Sequence, residues 1–115
     1  MNERLLNEKN VWLATVRPNG KPHLVPIWFV WFDEKIYICT QESVKVKNIR
    51  ANNRVSVALE DGNAPVIAEG IARLLSDDFS EEVARLFQDK YDWEIRTDSD
   101  YNILIEVTPT KWVKW

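Results

Sequence analysis

Apolar and polar positions alternate with a period of two along most of the chain, and the period lengthens to that of a helix in two places. Val11 to Arg17 (VWLATVR) alternates, is rich in β-branched and aromatic residues, and stops at Pro18-Asn19-Gly20, a turn signal that predicts a hairpin. The next run, Pro22 to Phe32 (PHLVPIWFVWF), sets His23, Val25, Ile27, Phe29 and Trp31 on one face and Leu24, Pro26, Trp28, Val30 and Phe32 on the other. Both faces are apolar, so both need cover, one from the core and the other from a partner, a helix or a ligand. Pro26 has no N–H to give to a ladder and is expected to interrupt this strand. After a tight turn at Asp33-Glu34, Lys35 to Thr40 reads as a third strand, Arg54 to Glu60 as a fourth, Pro65 to Leu75 as a fifth bent at Gly70, and Tyr101 to Thr108 as a sixth.

Two helices interrupt the strands. The first runs from Ser43, its natural N-cap, to about Asn52. Ser80 opens the second, which reaches Tyr91 with Glu81 and Glu82 in its first turn and Val83, Leu86, Phe87 and Tyr91 on one face. The stretch Asp77 to Asp100 holds nine of the eighteen acids and reads as a solvated outer layer. Pro109 then introduces a tail, Thr110 to Trp115. Six short antiparallel strands with two helices predict a mainly β, closed barrel, because closure removes exposed edges.

At 115 residues the chain has the size of one domain, residues 1–115, and its core is small. A net charge of −3 argues against a basic nucleic-acid binder, and no apolar run is long enough to span a bilayer as a helix. The polar opening, Met1 to Asn10, has no signal-peptide pattern, so a cytoplasmic protein is the expectation. One cysteine and one histidine exclude a disulfide within the chain and a zinc cluster. Six tryptophans are more than a private core of this size needs, which predicts a shared surface using Trp28, Trp31, Trp112 and Trp115.

Ser43 to Arg54 (SVKVKNIRANNR) is the segment richest in chemistry. It carries Lys45, Lys47, Arg50 and Arg54 and no acid. A lysine in the first turn of a helix is disfavoured by the dipole, and an anion reverses that penalty. The Ser43 hydroxyl, the free helical N–H groups and the Lys45 ammonium together suit a phosphate. A capped surface helix with solvated lysines fits the same residues. His23 has no carboxylate partner in sequence, and Cys39 lies in an apolar strand; both read as structural. No phosphate loop, nucleophile elbow or metal motif is present.

Taken in order, VWLATVRPNGKPHLVPIWF, ICTQESVKVKNIRANNRVSV, EGIARLL and ILIEVTPTKWVKW resemble the pyridoxamine 5'-phosphate oxidase-like split-barrel flavoproteins from Val11 onward. The resemblance implies a six-stranded, Greek-key-like split β-barrel and a homodimer with FMN at the subunit interface. It implies that Ser43 and Lys45 hold the phosphate, with Thr40 at the nearby strand end, and that the backbone of Val25, Pro26, Ile27 and Trp28 lines the ring. Lys47 and Asn48 fit the same pattern, and Trp112 is a candidate contact to the other subunit's cofactor. Val44 stands where pyridoxamine phosphate oxidases proper have Arg, and the tail lacks their Arg-x-His motif. In these respects the chain is more similar to small members that use FMN or the deazaflavin F420. The expected activity is flavin-dependent oxidoreduction of a small molecule, with no catalytic side chain and no metal. The alternatives are an F420-dependent reductase, a flavin carrier without turnover, and a haem-binding barrel.

Overall fold

The computed structural model describes residues 2–76 and 79–114. Within them the chain forms helix α1 (Asn2–Asn7), strands β1 (Asn10–Val16), β2 (Pro22–Trp28), β3 (Val30–Phe32) and β4 (Lys35–Thr40), and helix α2 (Val44–Ala51). Strands β5 (Arg54–Leu59) and β6 (Ile67–Leu75), helix α3 (Glu81–Tyr91), a 3₁₀ turn at Ile95–Thr97 and strand β7 (Ile103–Trp112) complete it. All seven strands join one antiparallel sheet in the order β2-β1-β5-β6-β7-β4-β3.

The topology dictates the shape. A flat seven-stranded sheet would hold its edges roughly 29 Å apart, six spacings of about 4.8 Å. Here the edges β2 and β3 are consecutive in the chain, separated by Phe29 alone, and one residue spans only about 3.8 Å. The sheet must therefore curl until its edges meet at Phe29. They diverge from there, because β3 is three residues long and leaves the C-terminal half of β4 opposite β2 with no ladder between them. The result is a half-barrel with a split, as the resemblance implies, with seven strands in place of six and without the closure that the strand pattern alone predicts.

The long second strand is thus two strands, and its break falls at Phe29, while Pro26 stays in register opposite Trp12. Pro26 is tolerated because β2 is an edge strand. Pro22 and Pro26 occupy the same alternate set, whose main-chain groups face away from β1, so neither removes a ladder bond. The break also changes the side-chain phase: Phe29, Val30 and Trp31 are buried in succession. Trp31 belongs to the core and supplies no shared surface. Strand β7 likewise runs past Pro109 to Trp112, taking in the start of the expected tail; Trp115 lies outside the described residues. Helix α1 had no helical signal in its polar composition, and Leu5 plugs it into the core.

Two hydrophobic clusters hold these elements. The barrel interior contains Leu13, Phe29, Ile38, Val46, Val57 and Ile105, among others. A second cluster outside the sheet packs Val83, Ala84 and Phe87 of α3 and Ile95 against Val30, Tyr37 and Leu104. The acid-rich segment is therefore more than a solvated layer. Among its described acids Glu81, Glu82, Asp89 and Asp100 face water, and its apolar stripe builds a second core.

Gly70 marks the shift in register where β6 pairs with Pro109. A Cβ there would stand 2.6 Å from the Thr108 carbonyl oxygen and 3.1 Å from Val107 Cγ1. Gly70→Ala is expected to cost about 1–3 kcal/mol, because the obstruction is main chain and cannot rotate away. A lower urea midpoint with an unchanged m-value checks this.

Candidate functional site

The split opens into a cavity of about 670 Å³ whose walls include Pro26, Ile27 and Trp28 of β2, Cys39 and Thr40 of β4, and Ser43 and Lys45 at the start of α2. Six of the ten residues singled out in the sequence thus meet there: Pro26, Ile27, Trp28, Thr40, Ser43 and Lys45. They converge because β4 runs beyond the end of β3 and delivers the chain directly into α2 beside the free edge of β2.

The remaining four sit elsewhere. Val25 pairs with Leu13, half-buried, outside the cavity lining. Lys47 is exposed. Asn48 is 2% exposed and donates from Nδ2 to Thr15 Oγ1 at 3.0 Å, so it ties α2 to β1. Trp112 lies edge-on to Trp31 (6.1 Å, 63°), beside a small crevice with Leu5 and Val11.

At the α2 end the expected cap is only half realised. Ser43 occupies the N-cap position, but its hydroxyl bonds to no helical N–H; it accepts from Lys45 Nζ at 3.3 Å. Ser80 of α3, by contrast, caps the Val83 N–H at 3.2 Å. The first turn of α2 contains no acid, and among the described residues no carboxylate pairs with Lys45, whose pKa is lowered by burial. Unused N–H donors, a hydroxyl and a desolvated ammonium therefore meet at one point, the donor set an anion requires. Burial, then Arg17 and Lys45, hold the His23 pKa down; its Nδ1 is buried without a partner. Burial also pushes the Cys39 thiol up to about 12, too high for a thiolate at neutral pH.

Sequence reasoning missed the opposite wall, formed by Tyr91, Asp92, Trp93, Asp98 and Tyr101. Tyr91 stacks on Trp28 with ring centroids 4.4 Å apart at 9°. Its hydroxyl accepts from the Phe29 N–H (3.0 Å) and donates to the carbonyl of Lys9 (2.7 Å) or Phe29 (2.8 Å). Lys90 Nζ donates to the same Phe29 carbonyl at 2.9 Å and lies 3.9 Å from the centroid of the Phe29 ring. The end of α3 thereby satisfies the main chain where the sheet edges meet. Only the aromatic content of Trp93 and Tyr101 within an acidic stretch hinted at this wall.

The Lys90 contact sets a pH dependence. Burial first, then Lys9, push its pKa down to about 8, from an ordinary 10.5, while Glu8 acts the other way. The unfolded chain therefore binds more protons between those values, so this group makes stability rise from pH 8 towards 10.5 and contributes no slope below 8. Cys39, pushed from an ordinary 9 to about 12, opposes this above pH 9, and Tyr37 and Tyr91, both pushed up to about 12, oppose it above pH 10, while burial of Lys45 adds to the rise. Urea midpoints from pH 7 to 9 should show the rise, and Lys90→Met should reduce it.

The pyridoxamine 5'-phosphate oxidase family model matches residues 1–115. Among solved structures, an F420 reductase is 28% identical with a TM-score of 0.78, the match covering 99% of this chain and 96% of that one. HutZ, a heme storage protein from Vibrio cholerae, is 20% identical (TM-score 0.78; 96% and 87% covered). An FAD-binding protein from Mesorhizobium loti is also 20% identical (TM-score 0.70; 96% and 87% covered). At 20% identity these two show the fold alone. No curated protein matches the chain. A split barrel whose whole length fits one family's pattern has a clear place: the chain belongs to the pyridoxamine 5'-phosphate oxidase family, which binds flavins or F420.

Proposed function

We propose that this protein is a flavin-dependent oxidoreductase that holds FMN in the split and acts on a small molecule as a homodimer. The observation that carries this reading is the anion-binding donor set at Ser43 and Lys45, placed at one end of a cavity bounded by the free edge of β2. Ser43, Lys45 and the first N–H groups of α2 would hold the phosphate. Main-chain groups of β2 that face away from β1, those of Trp28 among them, would bond the polar edge of the ring. When bound, the isoalloxazine supplies the redox chemistry, and the protein orients it and limits its exposure to water.

The homodimer accounts for the outer face of the sheet. Trp12, Leu24 and Trp28 are 38%, 59% and 46% exposed, and Pro26 lies between Trp12 and the strand edge on the same face. Such a patch on β1 and β2 suits a second copy of the chain. This also gives the surplus tryptophans a use.

The test is the absorption spectrum and mass of the chromophore that co-purifies with the full chain. A flavin spectrum with the mass of FMN supports the reading. A colourless protein that takes up neither FMN nor F420 overturns it. F420 is the second reading, favoured by the 28% identical F420 reductase, and the mass of the chromophore separates the two.

A further inference from the structure

The far wall of the cavity differs in chemistry from the end that suits a phosphate. Trp93 stands edge-on to Trp28 (6.1 Å, 70°) and to Tyr101 (5.7 Å, 80°), so rings at steep angles border the space. Tyr101 is 38% exposed, and Trp28, stacked on Tyr91 by one face, is 46% exposed at the border between this recess and the patch assigned to the second copy. Beside them is Asp98. Its Oδ1 accepts from the main-chain N–H groups of Asp100 and Tyr101, both at 2.9 Å, and its Oδ2 accepts from Trp93 Nε1 at 3.0 Å. These donors hold its carboxyl below the usual range and lock the indole in place. Asp92 lines the same region, and Lys45 is the only Lys or Arg among the described lining residues. The ammonium groups of Lys9 and Lys90 lie 5.3 Å and 5.4 Å from the centroid of the Tyr91 ring, and neither lysine is part of the lining.

π faces and fixed carboxylates at one end, with a cation at the other, make a polarised cavity. We propose that the recess of Trp28, Trp93, Tyr101 and Asp98 binds a planar organic cation, which is the class of small molecule presented to the cofactor. Ring faces attract cations through their quadrupole, and a preoriented carboxylate adds Coulomb attraction that a neutral or anionic isostere lacks. The role as reaction partner rests on the flavin reading above, whereas binding of the cation does not.

The experiment titrates the full chain, with and without FMN, with 1-methylnicotinamide (cation), nicotinamide (neutral) and nicotinate (anion), following tryptophan fluorescence and heat of binding. The cation should bind about tenfold more tightly than the anion, with the neutral amide between them. Asp98→Asn should bring the cation down to the level of the neutral amide. Because this variant also touches the indole contact, Tyr101→Leu provides a second arm and should weaken the cation severalfold while thermal unfolding stays cooperative. Equal binding of all three probes, preference for the anion, or an undiminished preference for the cation in both variants overturns the proposal. FMN binding without charge preference sinks this recess alone; charge preference without FMN binding sinks the flavin reading alone.

Discussion

Lys45→Ala should weaken FMN binding by about ten- to hundredfold, the equivalent of losing one charge-assisted contact, and leave riboflavin binding nearly unchanged. The two ligands differ by the phosphate, so the ratio of their losses locates the effect. Lys45 is suited to this role because burial has stripped part of its hydration and no acid among the described residues compensates it. The same fact gives an internal control. An uncompensated ammonium does not stabilise the empty fold, so the thermal midpoint of the apoprotein should hold or rise in the variant. Lys47→Ala, two residues on and facing water, should change affinity less than twofold. Isothermal titration with both ligands and thermal unfolding of the apoprotein check these outcomes, and equal losses for FMN and riboflavin would contradict the assignment of the phosphate end.

Phe87→Ala is expected to be the most destabilising single change outside the barrel interior, at about 3–5 kcal/mol against a typical total of 5–15. Phe87 is fully buried, and its ring meets Tyr91 (6.0 Å) and Trp93 (5.7 Å). Removing it opens a void beneath both residues of the cavity wall and loosens the α3 end that serves Phe29. The loss should appear in urea unfolding together with weaker near-UV circular dichroism from the aromatic cluster. If FMN is held mainly at α2, its affinity should fall less in this variant than in Lys45→Ala when both are measured well below their unfolding midpoints.

The two predictions fall on opposite sides of what could be read beforehand. Lys45 stood out because its segment is local: a serine, a helical period and basic residues without acids lie within a dozen positions. The strand pattern was equally local, and most strands begin and end close to where alternation and turn residues place them, the exceptions being the break at Phe29 and the end of β7 at Trp112. That Trp93 and Asp98 line the cavity was not legible. Their neighbours Trp28 and Cys39 are more than fifty residues away, and only the docking of α3 on β3 brings them together. Pro26 misled because a proline breaks a central strand yet is harmless on an edge, and edge status is a property of the sheet. Phe29 hid the true break because nothing in its type distinguishes it from its apolar neighbours.

By itself, the sequence determined the antiparallel β character, the two longer helices, the bulge at Gly70 and the placing of Ser43 and Lys45 together at the start of a helix without acids. Each depends on periodicity, steric demand or charge within a short stretch. Tertiary structure decided that the sheet has seven strands and remains split, that the acidic segment supplies a second core, and that one cavity has a basic end and an aromatic, acidic end. Those outcomes depend on which strands become edges and on which distant surfaces bury each other, and no local pattern encodes that.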